Sequence, residues 1–504
     1  MNQAVAIAIS LVSGLEGATH MDVIDPATEY QIIDNFGASD CWSMQKTGTW
    51  SDENRQRVAD LLFSTTRGIG LSCWRFNLGG GINPRIGNPW RTVETFEVAE
   101  GRYDWSRQAA ERWFLRAAKQ RGVRQFIAFV NSPPARMTRN GLTNCDPGRH
   151  STNLKPGYEG QFARYLVDVL RHFRDHPDPA ERIEFGWISP VNEPGWEWDH
   201  AGQEGNRAGT GDIKAIVRAL HAELARQQVK TRILVSEARS PSIMYRWARR
   251  RNRDAPERIG DYLRELCGDA EISPMLDGTI CYHSYLADQI DEQLVQHRQR
   301  LGQAMARYPG WRLWQTEYCV MRGPHGKGGG GRDLGIDTAL NVARVIHYDL
   351  VLAGVSAWQW WLALSPSDYK DGLVYTNYPK PGEPETIRES KLLWAIGNFS
   401  RFVRPGMRRI ELTGDRHDKR GLLGSAYLDP KTKRVVAVYI NMGEQPQEVR
   451  LRMLPRSGAA TCPQRITPYV TSANARNDLK RHPDVSLGNP YLVSARAVVT
   501  LVFE

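Results

Sequence analysis

The sequence predicts an α/β fold, a (β/α)8 TIM barrel with an attached β-sandwich side domain. Short apolar runs alternate with helical patterns through the first three quarters of the chain, which is typical of the strands of a parallel sheet. Near residue 400 the helical pattern stops, and alternating strands take over. The length of 504 residues allows one large barrel and one smaller domain.

The barrel is predicted from eight apolar runs, each followed by a polar loop and then by a segment with apolar residues at helical spacing. Residues 109–121 and 158–173 are two such helical segments. The eight runs are 31–37, 70–76, 125–130, 183–191, 232–236, 278–283, 311–316 and 355–360. Eight strands that alternate with helices predict a (β/α)8 barrel over residues 31–398.

The side domain is predicted from strand patterns that show no helical period. Its candidate strands are 421–428, 434–441, 449–453 and 498–503, with a turn at 429–433. We expect a leading strand at 21–30 to complete the sheet, so that the β-sandwich comprises residues 21–30 and 399–504.

The first 20 residues resemble a signal peptide or leader. An apolar run at residues 4–12 precedes Ala18, a candidate cleavage edge, although no Lys or Arg stands before the run. About nine apolar residues cannot cross a hydrocarbon core that needs about 20. We therefore expect a secreted or periplasmic protein without a membrane span.

Charge and motifs exclude several classes of function. The net charge of +10 is spread over 504 residues, which is too sparse for a nucleic-acid-binding surface. The glycines at 79–81 do not have GxGxxG spacing, the glycine run at 328–331 lacks the Lys-Ser/Thr of a P-loop, and no GxSxG pattern occurs. The seven cysteines show no CxxC pair or metal-ligand spacing. We expect no nucleic-acid partner, no metal and no organic cofactor, and the sequence leaves the oligomeric state open.

Two glutamates follow predicted strands in a way that indicates chemistry. Glu193, within Asn-Glu-Pro, follows the fourth run, and Glu317 follows the seventh. They are 124 residues apart in sequence. This is three βα units, so both carboxylates are expected at the C-terminal mouth of the barrel, where such barrels hold their catalytic groups. Glycoside hydrolysis needs such a pair, because one carboxyl protonates the departing oxygen and the other attacks the anomeric carbon.

The two carboxyl groups need different protonation states. Glu317 must be ionised, so it needs cationic or hydrogen-bond-donating neighbours, and Arg75 and Tyr285 are candidates because they end or follow other strands. Glu193 must hold its proton near neutral pH, which burial and the charge of Glu317 promote. Asn192 can donate a hydrogen bond to the sugar 2-hydroxyl.

Aromatic and polar side chains near the strand ends predict the rest of a sugar site. The candidates are Trp42, Trp358 and Trp360 for stacking on sugar rings, and Asp40, Asn131 and His283 for polar contacts. A structural role is the alternative, as a core histidine for His283 or an ion-pair partner for Arg75. Core positions are favoured for Trp74 and Trp361.

Seven motifs in chain order carry a family resemblance. They are 33–39 (IDNFGAS), 75–79 (RFNLG), 131–134 (NSPP), 192–194 (NEP), 283–285 (HSY), 316–317 (TE) and 360–364 (WWLAL). These motifs are similar to those of glycoside hydrolase family 30 of clan A, which includes glucosylceramidases, xylanases and β-1,6-glycanases. The resemblance implies a retaining mechanism with Glu193 as acid/base and Glu317 as nucleophile, and the β-rich tail fits the side domain of that family.

Within the family, residues 40–42 (DCW) and 131–138 (NSPPARMT) look most like bacterial members of the endo-β-1,6-galactanase type. β-Glucosidase, β-fucosidase, β-1,6-glucanase and xylanase activities compete with it, because subsite loops set them rather than the two glutamates. A non-catalytic carbohydrate-binding protein on the same fold is the alternative from another class, and a neighbouring clan A family would lack the β-domain. Each interpretation implies a carbohydrate partner.

Overall fold

The computed structural model describes residues 20–248, 258–323, 328–380, 382–413, 421–455 and 463–504. The expected leader, residues 1–20, lies outside these ranges apart from residue 20. The strands described are β1 (His20–Ile32), β2 (Asn35–Ser39), β3 (Cys73–Asn77), β4 (Glu97–Ala99), β5 (Arg102–Tyr103), β6 (Gln125–Phe129), β7 (Trp187–Ser189), β8 (Arg232–Ile233), β9 (Thr279–His283), β10 (Arg312–Glu317), β11 (Ala357–Ser365), β12 (Gly372–Thr376), β13 (Ile387–Glu389), β14 (Arg408–Thr413), β15 (Leu422–Leu428), β16 (Val435–Asn441), β17 (Gln447–Met453), β18 (Arg465–Ser472), β19 (Lys480–Arg481), β20 (Val485–Ser486), β21 (Pro490–Val493) and β22 (Ala497–Phe503). The α-helices are α1 (Met44–Thr47), α2 (Asp52–Phe63), α3 (Ala109–Gln120), α4 (Glu159–Arg174), α5 (Thr210–Arg226), α6 (Asp291–Met305), α7 (Ile336–Tyr348) and α8 (Lys391–Ser400).

Eight parallel strands close into a barrel in the order β2, β3, β6, β7, β8, β9, β10 and β11, and β11 pairs with β2. The junction between β8 and β9 lies just beyond the short β8. There, Ser236 N donates to Cys281 O at 3.2 Å, and His283 N donates to Ala238 O at 2.7 Å. Each of the eight predicted runs overlaps one barrel strand. The predicted fold class is therefore confirmed.

The helices cover the outside of the barrel with amphipathic faces. The predicted helical segments 109–121 and 158–173 correspond to α3 and α4. Helix α4 buries Phe162, Leu166, Val169 and Phe173, which recur every three or four residues and so share one face. Among the described helices, none is both long and apolar enough to cross a bilayer.

Inside the barrel, a layer of buried side chains supports the mouth. Its members are Cys73, Ile127, Trp187, Leu234, Cys281, Trp314 and Ala357, which come from seven adjacent positions around the barrel. Side chains alternate along a strand, so the residue two positions further on points inward one layer higher. In β3, β7 and β9 those residues are Arg75, Ser189 and His283, and all three are buried and polar. The layer above the apolar floor is therefore charged and hydrogen-bonded.

Beside the barrel, ten strands form one continuous sheet in the order β19, β18, β22, β16, β15, β14, β1, β17 and β21, with β20 paired to β18. Strand β1 pairs antiparallel with β14 and parallel with β17, so it joins two parts of the sheet that are far apart in sequence. Alternate residues of β16 face two cores. Val435, Ala437 and Tyr439 pack within the side domain, and Val436, Val438 and Ile440 pack into the core of the barrel. The side sheet is therefore docked through a buried apolar face.

Candidate active site

A cavity of about 750 Å3 opens at the C-terminal ends of the barrel strands. This volume is typical of a small-molecule or oligosaccharide subsite. Its wall is built from the loops that follow β7, β9, β10 and β11, and its lining residues include Arg91, Asn192, Glu193, Trp196, Trp198, Arg239, Tyr285, Leu286, Glu317, Met321, Arg322, Trp361, Asp368 and Asp371. Both glutamates expected at the mouth of the barrel therefore line one cavity.

Glu193 and Glu317 face each other at short range. One carboxylate oxygen of Glu193 lies within 4.8 Å of one of Glu317. Their side chains are 14% and 4% exposed. Retaining glycosidases place their two carboxyl groups about 5–5.5 Å apart, whereas inverting enzymes leave about 6.5–9.5 Å for a water molecule. This close approach of the two carboxylates is compatible with direct attack by one of them on the anomeric carbon.

Glu317 accepts hydrogen bonds from the two residues expected beside it. Arg75 Nη1 donates to Oε2 at 3.0 Å, and the Tyr285 hydroxyl donates to Oε1 at 3.0 Å. The Arg75 guanidinium also lies over the ring of Phe129, 4.1 Å from its centroid, which fixes its plane. Burial raises the pKa of Glu317, while the charges of His283 and Arg75 act in the opposite direction. The donors are the groups that favour its ionised form.

A third carboxylate, Glu237, lies beneath this pair and was not predicted. It follows β8 and is fully buried. His283 Nε2 lies 2.8 Å from Glu237 Oε2, and Arg75 Nη2 lies 3.6 Å from Oε1. The signal was available in the sequence, because Glu237 stands directly after the fifth apolar run, as Glu193 stands after the fourth. A Glu among Ser, Ala and Arg in a short run gave no reason to single it out.

His283 connects the buried carboxylate with the two in the cavity. Its Nδ1 lies 3.1 Å from Glu193 Oε1 and 3.4 Å from Glu317 Oε1. Burial alone would lower the pKa of His283, but the charge of Glu317 and the hydrogen bonds to Glu193 and Glu237 raise it to about 10. Burial would likewise raise the pKa of Glu237, and the charge of Arg75 with the contact to His283 lowers it to about 2. At neutral pH the ring is therefore an imidazolium and Glu237 a carboxylate.

The cluster combines two cations with three carboxyl groups. Arg75 and His283 supply two positive charges, and the three carboxyl groups can supply three negative ones. A buried cluster is most stable when its charges balance. Acid-assisted nucleophilic attack requires one of the carboxyl groups at the cavity to carry a proton and the other to be ionised.

Within the described residues, Glu193, His283 and Glu317 are the group whose ligand atoms could reach one metal ion. A histidine ligates a metal through a neutral ring nitrogen. Here the carboxylates around His283 hold its pKa at about 10, so the ring is protonated at neutral pH. The donor set fits proton transfer and charge stabilisation better than metal binding.

A hydrogen-bonded network of amides lies behind the cavity wall. Asn192, which lines the cavity, donates through Nδ2 to Asn131 Oδ1 at 3.1 Å. Asn131 donates in turn to Asn77 Oδ1 at 3.3 Å and to Glu204 Oε1 at 3.4 Å. Asp40 accepts the backbone N–H of Asn77 at 2.9 Å. Of the polar residues expected to hold sugar hydroxyls, Asn192 is at the surface of the cavity, whereas Asn131 and Asp40 support it from behind.

Two tryptophans expected to stack on sugar do not line the cavity. Trp358 donates through Nε1 to Asp349 Oδ2 at 3.0 Å, and Trp360 donates to Asp371 O at 2.7 Å. Both side chains are fully buried. Side chains alternate along β11, and the even-numbered ones face away from the barrel axis. The expectation for Trp358 and Trp360 is therefore wrong.

Trp361 takes the place that was expected for its neighbours. It lies on the opposite face of β11, is 8% exposed, and lines the cavity with Trp196 and Trp198. Trp42 packs edge-on against it, with ring centroids 5.2 Å apart. Trp42 itself is buried and acts as a support for Trp361. Trp361 belongs to the buried core, as expected, and its exposed edge also lines the cavity. Trp74 is a core residue as expected.

The sequence and the fold have counterparts among known proteins. A sequence model of O-glycosyl hydrolase family 30 matches residues 19–375. The structure of a conserved exported protein from Bacteroides fragilis is 29% identical, with a TM-score of 0.84, and the match covers 96% of this chain and 100% of that one. The catalytic domain of a family 30 xylanase C from Talaromyces cellulolyticus is 19% identical, with a TM-score of 0.68 over 96% of this chain and 100% of that one. An endo-β1,6-glucanase is also 19% identical, with a TM-score of 0.68 over 96% and 93% of the two chains.

Proposed function

Since this chain belongs to O-glycosyl hydrolase family 30, a retaining family that acts on glycans, we propose that Glu193 and Glu317 divide the work of its double displacement. Glu317 is the nucleophile and Glu193 the general acid and base. The observation that carries this assignment is the short separation of the two carboxyl groups, within 4.8 Å, at the wall of one cavity. In these roles the proton that assists departure of the leaving group comes from Glu193.

The environments of the two residues support these roles. Glu317 receives Arg75 Nη1 and the Tyr285 hydroxyl, each at 3.0 Å, and these donors stabilise a negative charge. Glu193 has one close donor, His283 Nδ1 at 3.1 Å, and its side chain reaches further into the cavity. The carboxyl group with fewer donors is the better proton carrier.

In the first step an oxygen of Glu317 attacks the anomeric carbon, and the bond from that carbon to the glycosidic oxygen breaks. The departing oxygen keeps the electron pair of that bond and takes the proton of Glu193. The product is an ester between the sugar and Glu317, with Glu193 ionised. Arg75 and Tyr285 hold the carboxylate in place before the attack.

In the second step Glu193 takes a proton from a water molecule whose oxygen attacks the same carbon. The ester bond breaks, and Glu317 leaves as a carboxylate with the electron pair of that bond. Each step inverts the anomeric carbon, so the product keeps the β-configuration. Both glutamates return to their starting states.

The substrate we propose is a β-linked polysaccharide of the β-1,6-galactan type, cleaved within the chain. The support is the likeness of residues 40–42 and 131–138 to endo-β-1,6-galactanase-type sequences. Three tryptophans, Trp196, Trp198 and Trp361, supply apolar faces along a cavity that is open to solvent. Flat aromatic faces bind the C–H faces of sugar rings.

A substrate panel tests this specificity. The native protein and Glu317→Gln are incubated with β-1,6-galactan, β-1,6-glucan, xylan, and aryl β-glucoside and β-fucoside, and released sugars are separated by chromatography. We expect galactan oligomers from the native protein and none from the variant. If sugars are released faster from glucan, xylan or an aryl glycoside than from galactan, that compound is the preferred substrate and the galactan proposal is wrong. Binding of a polysaccharide without release of sugar would favour the non-catalytic alternative.

We also propose export to the periplasm or the medium. The support is the leader-like composition of residues 1–20 together with the description of the 29% identical Bacteroides fragilis protein as exported. Fractionation of cells that express the full chain tests this directly. Retention of all the protein in the cytoplasmic fraction of a native host contradicts it.

A further inference from the structure

We propose that Glu237 is a positioning residue for this reaction, which holds His283 and Arg75 so that both donate to the catalytic pair. The inference rests on the roles proposed above for Glu193 and Glu317. Glu237 does not line the cavity, so it does not touch the substrate. It acts through the two cations that stand between it and the cavity.

The contacts of Glu237 come from four different barrel strands. Arg75 is in β3, Ser189 in β7, His283 in β9 and Thr316 in β10. Ser189 Oγ donates to Oε1 at 2.8 Å, and Thr316 Oγ1 donates to Oε2. Backbone contact links the site as well, because Glu193 N donates to Glu237 O at 3.1 Å. A fully buried carboxylate with this many donors has one orientation.

The contact with His283 determines the protonation of that ring. An ionised carboxylate can only accept, so Nε2 of His283, 2.8 Å from Glu237 Oε2, must carry a proton. For Nδ1 to donate to Glu193 at 3.1 Å, it must carry a proton too. With Nδ1 as the donor to Glu193, the two bonds together require the imidazolium form. Glu237 therefore keeps a positive charge beside the catalytic pair.

The contact of Glu237 with Arg75 likewise keeps a positive charge beside the catalytic pair. Its Nη2 is 3.6 Å from Glu237 Oε1, and its Nη1 is 3.0 Å from Glu317 Oε2. Glu237 thus bridges to Glu317 through one cation and to Glu193 through the other. Without its charge, two buried cations would face the catalytic pair with one balancing carboxylate fewer.

The charged and titratable groups that face His283 come from every side of the ring. Glu237 follows β8, Glu193 follows β7, and Glu317 ends β10. The Tyr285 ring lies 5.7 Å away on the loop after β9. Removal of the Glu237 charge leaves the other groups in place. The pKa of His283 should then fall by about 1–3, the range for loss of one opposite charge at this distance.

The test compares Glu237→Gln with a matched control, Glu97→Gln. Glu97 is also buried and paired with an arginine, with Arg136 Nη2 at 2.7 Å, but it lies outside the cavity. The ring nitrogens of 15N-labelled histidine are followed by NMR against pH, with His283 assigned from the spectrum of His283→Asn. We expect both ring N–H protons of His283 at neutral pH in the native protein and in Glu97→Gln. In Glu237→Gln the ring should lose a proton at least one pH unit lower.

This readout needs no substrate, so it is independent of the proposed function. A native His283 that is neutral at pH 7, or one whose titration is unchanged in Glu237→Gln, overturns the proposal. The native spectrum alone decides the first point even if the variant fails to fold. With a cleaved aryl β-glycoside, the alkaline limb of kcat/KM should move to lower pH in Glu237→Gln and return toward the native position in Glu237→Asp. Equal loss of activity at every pH would show that Glu237 is only structural.

Discussion

Arg75 and Glu317 form a buried ion pair, with Nη1 of the guanidinium 3.0 Å from Oε2 of the carboxylate. They lie on β3 and β10, which are separated by β11 and β2 in the closed barrel. The pair therefore spans the interior of the barrel and exists only because the sheet closes. Arg75 donates to Oε2 of Glu317, and Tyr285 donates to Oε1, so both carboxylate oxygens are held in place.

Replacement of Arg75 by Gln should slow the reaction and shift its pH dependence. Loss of this cation raises the pKa of Glu317 further, so the acid limb of kcat/KM should move to higher pH. Breaking a buried pair costs about 3–5 kcal/mol of stability, because a buried charge loses its partner. Arg136→Gln, in the pair with Glu97, is the control and should leave the acid limb in place. If Arg75→Gln lowers stability and leaves the acid limb unmoved, Arg75 is only a structural ion-pair partner.

Glu193→Gln should slow the cleavage of substrates with poor leaving groups much more than that of substrates with good ones. A glutamine cannot donate a proton, so cleavage of a polysaccharide should fall by about 10²- to 10⁴-fold. A dinitrophenyl β-glycoside needs no acid, because its leaving group is stable as an anion, so its first step should stay fast. Burst kinetics with both substrates measure this. If the variant loses the same factor in rate with both substrates, Glu193 is not the general acid.

Trp361→Ala should weaken substrate binding. The ring is the apolar face that β11 presents to the cavity, so KM should rise about tenfold, which corresponds to about 1.4 kcal/mol. Trp360→Phe is the matched control. It removes the hydrogen bond from Nε1 to Asp371 O and should cost about 1–3 kcal/mol of stability with KM unchanged. If KM rises in Trp360→Phe and stays unchanged in Trp361→Ala, Trp360 and not Trp361 stacks on the sugar.

The stability of the protein should fall as pH rises above neutral. The pKa of His283 is about 10 in the folded protein and about 6.5 in an unfolded chain. Between these values the folded state binds a proton that the unfolded state has lost, so the free energy of unfolding decreases with pH. Urea unfolding at several pH values between 6 and 10 measures the slope. His283→Asn should flatten it, and an unchanged slope would mean that another group is responsible.

The positions of the barrel strands could be predicted because parallel strands are buried on both faces and so appear as continuous apolar runs. For the same reason the sequence could not show which face of β11 each tryptophan occupies. In a run such as Trp358 to Leu364, apolar residues occupy both faces, and the pattern does not tell which face meets the cavity. In the structure Gln359 faces the inside of the barrel, where its amide donates to Asn35 and Cys73, so Trp361 faces inward and Trp358 and Trp360 face outward.

The catalytic pair could be predicted because each glutamate ends or follows a strong apolar run. Glu237 also follows such a run, but its neighbours in the sequence did not distinguish it. Its strand, β8, has two residues, and the chain then bends so that Ser236 and Ala238 complete the junction with β9. The importance of Glu237 arises from its contacts with residues of four barrel strands, β3, β7, β9 and β10. No local pattern in the sequence encodes such a meeting.

Azide rescue tests the division of roles between Glu193 and Glu317 most directly. In Glu317→Ala, azide takes the place of the missing nucleophile and attacks from its side, so we expect an α-glycosyl azide by proton NMR. In Glu193→Ala, the ester on Glu317 still forms and azide attacks it from the other face, so we expect the β-glycosyl azide. The opposite pair of products, or wild-type activity in Glu317→Ala without azide, would contradict the assignment of Glu317 as nucleophile and Glu193 as acid and base.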